Sequence, residues 1–297
     1  MEEQIQPERR FEFGKNWRNF LSLINEERIV IAQESLLQLL GLDTLAGKTF
    51  LDIGSGSGLS SLAARRLGAK VHSFDYDPDS VACTSELKRR YFPADERWTI
   101  AQASALDKDY MDSLGCFDIV YSWGVLHHTG AMWEAIENAR NRVDHGGCFF
   151  LAIYNDQGGW SVRWKYIKRM YNRLPRFLQP LFAILVTIPR ECLSAAYLLA
   201  TGRPGLYLYK LTNYQSGRGM SRWHDILDWV GGWPFEVARP EEVFEFLKHR
   251  GFSLLKMKTN CGGLGCNEFL FLKPSLNIPN RESLGREYQS VSSGTFS

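Results

Sequence analysis

An α/β doubly wound sheet of seven strands, mostly parallel with an antiparallel last strand and a helical insert or lid, is the fold this sequence predicts. Three observations predict it. Apolar runs of strand length alternate with amphipathic stretches from residue 48 to 154. A glycine-rich loop, "GSGSG", joins the first apolar run to the amphipathic stretch after it. The alternation breaks off after 154, resumes at 240 and closes with two more apolar runs by 273.

The elements follow in order. Residues 10–40 read as helical: "ERIVIAQESLLQLLG" repeats apolar residues at three- and four-residue spacing and stops at Gly41, a natural helix end. "KTFLDI" (48–53) is a buried strand, "LSSLAARRLG" (59–68) a helix and "KVHSFDYD" (70–77) a strand. "SVACTSELKRRYF" (80–92) is helical; "WTIAQAS" (98–104) and "FDIVYSWG" (117–124) are strands. The helix "MWEAIENARNRV" (132–143), a GG turn and the strand "CFFLAIY" (148–154) complete the run. Residues 155–238 read as helical or irregular, rich in Trp, Tyr and Arg. "PEEVFEFLKHRG" (240–251) has Pro at its first turn, acids early, bases late and Gly as its stop. "FSLLKMKT" and "NEFLFLK" read as an antiparallel hairpin around "GGLG". The division expected is an N-terminal helical cap (1–47), a core (48–154), an insert or substrate lid (155–238), completion of the core (239–273) and a flexible tail (274–297).

Composition bounds the function. With 44% hydrophobic and 23% charged residues the chain reads as soluble and globular. A net charge of +2 hides an asymmetry: Trp160 to Arg222 holds eleven Lys/Arg and one acid, a local +10, so the remainder totals −8. The polar "MEEQIQPERR" start argues against a secretory signal, and six scattered cysteines read as reduced, cytoplasmic thiols. Cys261 and Cys266 flank a glycine turn, but a metal needs about four ligands and no second pair exists, so no metal is expected. "LFAILVTIPRECLSAAYLLA" (181–200) is apolar enough for a membrane span, but Pro189, Arg190 and Glu191 interrupt it.

The glycine loop is the ligand corner of such a sheet. Gly54, Gly56 and Gly58 let main chain approach a ligand, and Asp52 sits in the strand end beneath them. A fixed carboxylate there would oppose a pyrophosphate and suit a ligand carrying positive charge. S-adenosylmethionine has an ammonium, a sulfonium and no phosphate. Asp75, at the next strand end, offers the bidentate acceptor a ribose diol needs, and Tyr76 could lie against a base.

"LDIGSGSG", "FDYDPDSV", "FDIVYSWGVLHHT" and "GGCFFLAIYN" look like the successive motifs of class I S-adenosylmethionine-dependent methyltransferases. The match covers about 48–154 and its order resumes at 240–273. It is most similar to the small-molecule branch that includes ubiquinone-biosynthesis-type O-methyltransferases. The resemblance implies a Rossmann-like core that binds S-adenosylmethionine and releases S-adenosylhomocysteine. It puts Gly54, Gly56 and Gly58 on the methionine part, Asp75 on the ribose, Tyr76 on adenine and Trp123 toward the methionine or substrate side. The family's usual "GDA" after strand three is "ASA" here, leaving Ser104 and Ala105 at the adenine edge, a weaker contact than a carboxylate makes. In "FEFGKNW", Phe13, Asn16 and Trp17 either cover the cofactor mouth or pack a helix on the sheet.

Methyl transfer from a sulfonium needs water excluded, an aligned nucleophile and a proton acceptor. Of the adjacent His127 and His128, at most one should face the acceptor, with His128 the candidate base; the alternative is that both are structural and pack against the sheet, as this stretch often does in the resembling family. Tyr154 is a second catalytic candidate, and Asn155 and Asp156 are substrate contacts, Asp156 reading equally as a helix cap. "MSRWHDILDWVGGWPFEVA" sets polar groups among tryptophans: His224 is a second base, with Asp228 at helical spacing and Glu236 as further substrate contacts. In the insert, Trp160, Trp164, Ile167 and Tyr171 share one helical face, with Arg163, Lys168 and Arg169 largely elsewhere. Such a helix either lies on anionic lipid, through 160–200 at the inner membrane face, or closes the pocket, or makes a homodimer. The leading reading is an enzyme that methylates a small organic acceptor, lipophilic or glycan-type, preferably on oxygen, with no nucleic acid partner. Its rivals are an RNA or nucleoside methyltransferase and a non-catalytic scaffold that binds S-adenosylmethionine and docks through the basic insert.

Overall fold

The computed structural model describes residues 11, 21, 24–203, 205–206, 222–261, 263 and 265–275, without the side chains of Arg190, Arg222, His224, Asp225 and Asp228. The expectations for Phe13, Asn16 and Trp17, for 207–221, for the tail beyond 275 and for the side chains of His224 and Asp228 therefore lie outside the described residues.

Helix α1 (Glu26–Leu40) begins where the Asn25 side chain accepts the Arg28 amide proton and ends at Gly41 in the left-handed region. The alternation then unfolds as β1 (Thr49–Ile53), α2 (Leu59–Arg66), β2 (Lys70–Asp75), α3 (Pro78–Tyr91), β3 (Trp98–Gln102), α4 (Lys108–Ser113), β4 (Phe117–Trp123), a 3₁₀ turn (Leu126–His128), α5 (Met132–Arg140) and β5 (Val143–Tyr154). The insert supplies α6 (Gly159–Arg173), α7 (Gln179–Ala200) and α8 (Arg222–Gly231); α9 (Pro240–Lys248), β6 (Ser253–Lys258) and β7 (Cys266–Leu272) close the chain.

The seven strands stand in the order β3-β2-β1-β4-β5-β7-β6. β1 to β5 pair in parallel, and β7 is antiparallel to both β5 and β6. Order reverses between β1 and β4, so the loops after these two strands diverge and leave a crevice at their carboxyl ends. Alternation along β1 explains the two cores. Leu51 and Ile53 join the layer that includes α5 and α9, while Phe50 joins the layer of α1 and α2.

Two local readings are corrected. β5 begins at Val143, not 148: its register shifts between the pairs Phe117–Val143 and Ile119–Cys148, so the GG pair lies inside a bulged strand start. α4 has six residues, too few for a periodic pattern to register.

Candidate functional site

The crevice is built from the first loop upward. Gly54, Gly56 and Gly58 all hold positive φ, +76°, +53° and +81°. The sequence reading gave their missing Cβ atoms to a ligand, but at two of them the protein itself takes the space. A Cβ on Gly54 would lie 2.4 Å from Val125 Cγ1, and one on Gly58 would lie 2.8 Å from the Thr84 Cα. Gly54 thus admits the loop after β4, and Gly58 admits α3.

Asp75 joins this loop to β2. Its Oδ2 accepts the Gly56 N–H at 2.9 Å and its Oδ1 accepts the Asp77 N–H at 2.9 Å. Burial pushes its carboxyl up to about 6, against these two amide bonds, which favour the anion. Tyr76 (57% exposed) and Trp123 (45% exposed) flank the same crevice, large apolar rings left open at strand ends.

Asp52 lies deeper, beneath the loop on the α2 side, 2% exposed. Ser61 Oγ donates to its Oδ2. That proton being committed, the Ser73 hydroxyl, 2.6 Å away, must donate to Ser61, and it accepts from Trp98 Nε1 at 2.9 Å. A one-way chain of donors therefore ends on the carboxylate. Burial still dominates and pushes Asp52 up to about 7, with the neighbouring Asp75 charge acting the same way.

On the strand-three side, Ser104 Oγ accepts the Leu106 N–H at 3.1 Å, within its own turn. Ala105 is a core residue, and its carbonyl accepts from Asn138 Nδ2 at 2.9 Å. Gln102, which the sequence reading passed over, donates from Nε2 to the Tyr76 carbonyl at 3.3 Å and steadies that aromatic residue.

A second cluster forms around Tyr154, at the end of β5. The His127 and His128 rings lie 3.9 and 5.3 Å from the Tyr154 ring, so both histidines pack on one residue and differ in which nitrogen they offer. His127 is fully buried; its Nδ1 accepts the Tyr154 N–H at 3.3 Å, so its proton is on Nε2. Burial, helped by the charges of His128 and Lys168, holds its pKa well below the usual histidine range. His128 is the reverse: Nδ1 lies 2.6 Å from the Pro234 carbonyl and donates to it, so in the neutral form of the ring the lone pair is on Nε2.

Three residues expected to be substrate contacts make hydrogen bonds within the protein. Asn155 is buried, with Oδ1 accepting from Asn267 Nδ2 at 2.9 Å and Nδ2 donating to the Gly263 carbonyl at 3.1 Å, which ties β5 to the turn before β7. Asp156 Oδ1 accepts the Gly158 N–H at 2.9 Å, a turn leading into α6. Glu236 accepts the Met132 N–H with both carboxylate oxygens, at 3.0 and 3.2 Å, and so caps α5, whose own N-cap, Ala131, has no polar side chain to do it. Burial pushes the Glu236 carboxyl up.

Lys168 is the residue that sequence reasoning misplaced. Read as part of the basic face of α6, it is fully buried. Its ammonium donates to the Trp229 carbonyl and sits 4.6, 4.9 and 6.0 Å from the ring centres of Trp229, Phe235 and Tyr154. A signal was present: Lys168 falls four residues after Trp164 and three before Tyr171, inside the apolar stripe. The same three rings, with Trp164, Asn155, Gln157, Ser161 and Gly265, line a cavity of about 10 Å³, roughly the room for one water.

Known proteins resemble this chain in its core. Residues 51–149 match the family described as "Methyltransferase domain". A tRNA U34 carboxymethyltransferase of Edwardsiella ictaluri is 33% identical over 112 residues, 37% of this chain and 33% of that protein. A ubiquinone biosynthesis O-methyltransferase of Methylobacterium sp. is 33% identical over 118 residues, 39% of this chain and 45% of that protein. The chain thus spans less than half the length of these curated relatives. In fold it is similar to the magnesium protoporphyrin IX methyltransferase of Synechocystis PCC 6803, solved with bound SAH, with a TM-score of 0.51 at 15% identity, over 87% of this chain and 93% of that one.

Proposed function

We infer that this chain is a class I S-adenosylmethionine-dependent methyltransferase whose acceptor is a small organic molecule methylated on oxygen. The observation that carries the reading is the Asp75 carboxylate at the end of β2, bonded to the Gly56 amide beside the reversal of strand order. Its two oxygens retain lone pairs for a diol. Tyr76 and Trp123 suit uncharged rings, and the buried Asp52 beneath the loop suits a cation better than a phosphate. The residues present therefore fit the cofactor. Asp75 would hold its ribose, Tyr76 the face of its adenine, and the loop at Gly54, Gly56 and Gly58, with Asp52 behind it, its methionine end. When bound, it supplies a methyl group already activated by the sulfonium and leaves as S-adenosylhomocysteine.

The chain's own residues do the rest. His128 offers the Nε2 lone pair to the acceptor's proton, in the tautomer fixed by Pro234. Trp164, Trp229 and Phe235 exclude water from the end of β5. The relatives divide between a tRNA enzyme and one of ubiquinone biosynthesis, and the aromatic lining of the cavity favours a small organic acceptor over RNA.

The insert carries a finer proposal, peripheral contact with anionic lipid on the cytoplasmic face of a membrane. α7 has a mean hydropathy of 1.5 over its best window, long and apolar enough to span, yet only 12% of that window is buried. Leu181, Ile184, Leu185 and Ile188 of α7 are exposed, and the preceding helix α6 carries further bases. A homodimer is the other use of such a face.

The test follows labelled methyl from S-adenosylmethionine into fractionated extracts. Label in an organic-soluble metabolite supports the reading. Label in RNA overturns the acceptor class, and binding of S-adenosylmethionine without transfer to any fraction favours a scaffold.

A further inference from the structure

The strand order β3-β2-β1 lays out the crevice from one end to the other. The loop after β1 takes the methionine end and Asp75, ending β2, takes the ribose, so the base extends toward the end of β3. Gln102 is the last residue of β3, and it pairs with Asp75 in the parallel register. Residues opposite each other in such a pair project from the same face of the sheet. Gln102 is exposed, and its Nε2 donates to the Tyr76 carbonyl at 3.3 Å. A carbonyl can only accept, so this bond settles which end of the amide is which: the nitrogen is spent on Tyr76 and the oxygen is left over. Oε1 makes no hydrogen bond among the described residues. The neighbouring acceptors are engaged. The Asp75 carbonyl takes the Ala103 N–H at 3.0 Å, and the Ser104 carbonyl takes the Asp107 N–H at 3.0 Å. The Ala105 carbonyl takes Asn138 Nδ2 at 2.9 Å, and Ser104 Oγ takes the Leu106 N–H at 3.1 Å.

We propose that Gln102 is a specificity-determining residue of the cofactor site, its Oε1 accepting a hydrogen bond from the 6-amino group of adenine. This role rests on the reading of the crevice as an S-adenosylmethionine site and deepens it. Tyr76 covers the face of the base, and the amide anchored on the Tyr76 carbonyl meets its edge. One side chain thereby ties the stacking residue to the group that reads the base. The bond joins two neutral groups at an exposed site, so its loss weakens adenine binding by about threefold to tenfold. A base with a 6-oxo group fares worse than one with no contact there, because it sets oxygen against oxygen. The site therefore prefers adenine to hypoxanthine, and Gln102 is a source of that preference.

The test uses the full-length protein and two nucleosides, S-adenosylhomocysteine and S-inosylhomocysteine. They differ at the base edge, where a 6-oxo group and N1–H replace the 6-amino group and the bare N1. Calorimetry gives the affinity of each for the parent, for Gln102→Met and for Ser104→Ala. The parent should bind S-adenosylhomocysteine tighter by about tenfold or more. Gln102→Met keeps the length of the side chain and removes the amide, and should cut that ratio by about threefold or more. The ratio is read rather than either affinity, because the variant also releases the Tyr76 carbonyl. Ser104→Ala should leave the ratio within about twofold, since its hydroxyl serves its own turn. Equal binding of the two nucleosides by the parent overturns the proposal, and that comparison needs no variant to fold. An unchanged ratio in a folded Gln102→Met overturns it as well, and so does a ratio that falls only in Ser104→Ala, which gives the amino group to the hydroxyl. The two levels separate in the same titrations. Binding of both nucleosides without preference removes the role of Gln102 alone, whereas binding of neither removes the cofactor reading and that role with it.

Discussion

Replacing Asp52 by asparagine isolates the consequence of burying a carboxyl at the floor of the glycine loop. The amide has nearly the same shape and still offers an oxygen to the Ser61 hydroxyl. It does not titrate. Burial raises Asp52 from 3.8 to about 7, which corresponds to about 4 kcal/mol of linkage, roughly 2.5 kcal/mol of it between pH 5 and pH 8. The sign follows from the direction of the shift. The folded carboxyl holds its proton to higher pH than the unfolded one, so the associated stability is present below about pH 4 and is lost as pH rises through about 7. The variant lacks that loss. Relative to the parent it should gain roughly 2.5 kcal/mol between pH 5 and pH 8, on the order of 4 °C in Tm. A constant offset also enters, because the new amide N–H needs a partner in a chain built of donors. The assay is thermal unfolding of parent and variant at both pH values, and the quantity read is the change in their difference. A difference that stays fixed from pH 5 to pH 8 refutes the reasoning, since Asp52 would then hold its charge throughout.

Other outcomes follow from the same geometry. Asp75→Asn should weaken S-adenosylmethionine binding by tenfold or more, about 1.5–3 kcal/mol for a lost charged acceptor, as read by calorimetry; unchanged affinity removes the ribose assignment. Gly54→Ala should destabilise by about 2 kcal/mol or more, from an alanine at φ +76° and a collision with Val125, and Val125→Ala, which removes both Cγ atoms but keeps the Cβ 2.9 Å away, should recover part of the collision cost in urea unfolding. Gly58→Ala meets the Thr84 backbone and should not be rescued by any side-chain change there. His128→Asn should lower kcat by about 10²-fold or more with S-adenosylmethionine affinity kept, and an unaltered pH profile would count against His128 as the base. Leu185→Asp with Ile188→Asp on the exposed side of α7 should abolish flotation with phosphatidylglycerol vesicles; if it leaves flotation intact and instead splits a dimer in sedimentation, the face is a subunit contact.

The sequence by itself determined the architecture, because strand and helix periods and glycine stops are local properties. The alternation from 48 to 154, its return at 240 and the antiparallel β7 are all legible from spacing. The glycine loop and Asp75 were legible as well, since a strand–loop–helix corner and the next strand end are fixed by chain order once the sheet is doubly wound. What the fold decided is which groups face one another. Asn155, Asp156 and Glu236 were placed by position alone, and the fold gives them hydrogen bonds to Gly263, Gly158 and Met132, from two to more than a hundred residues away in the chain. Lys168 looked like a solvated charge, and the packing of α6 against α8 and Phe235 buried it in a box of rings. Both outcomes have one cause. A residue's type and period settle the element it joins, while the long-range hydrogen bonds of Asn155 and Glu236 and the dielectric surroundings of Lys168 come from segments distant in the chain, which only the folded molecule brings together.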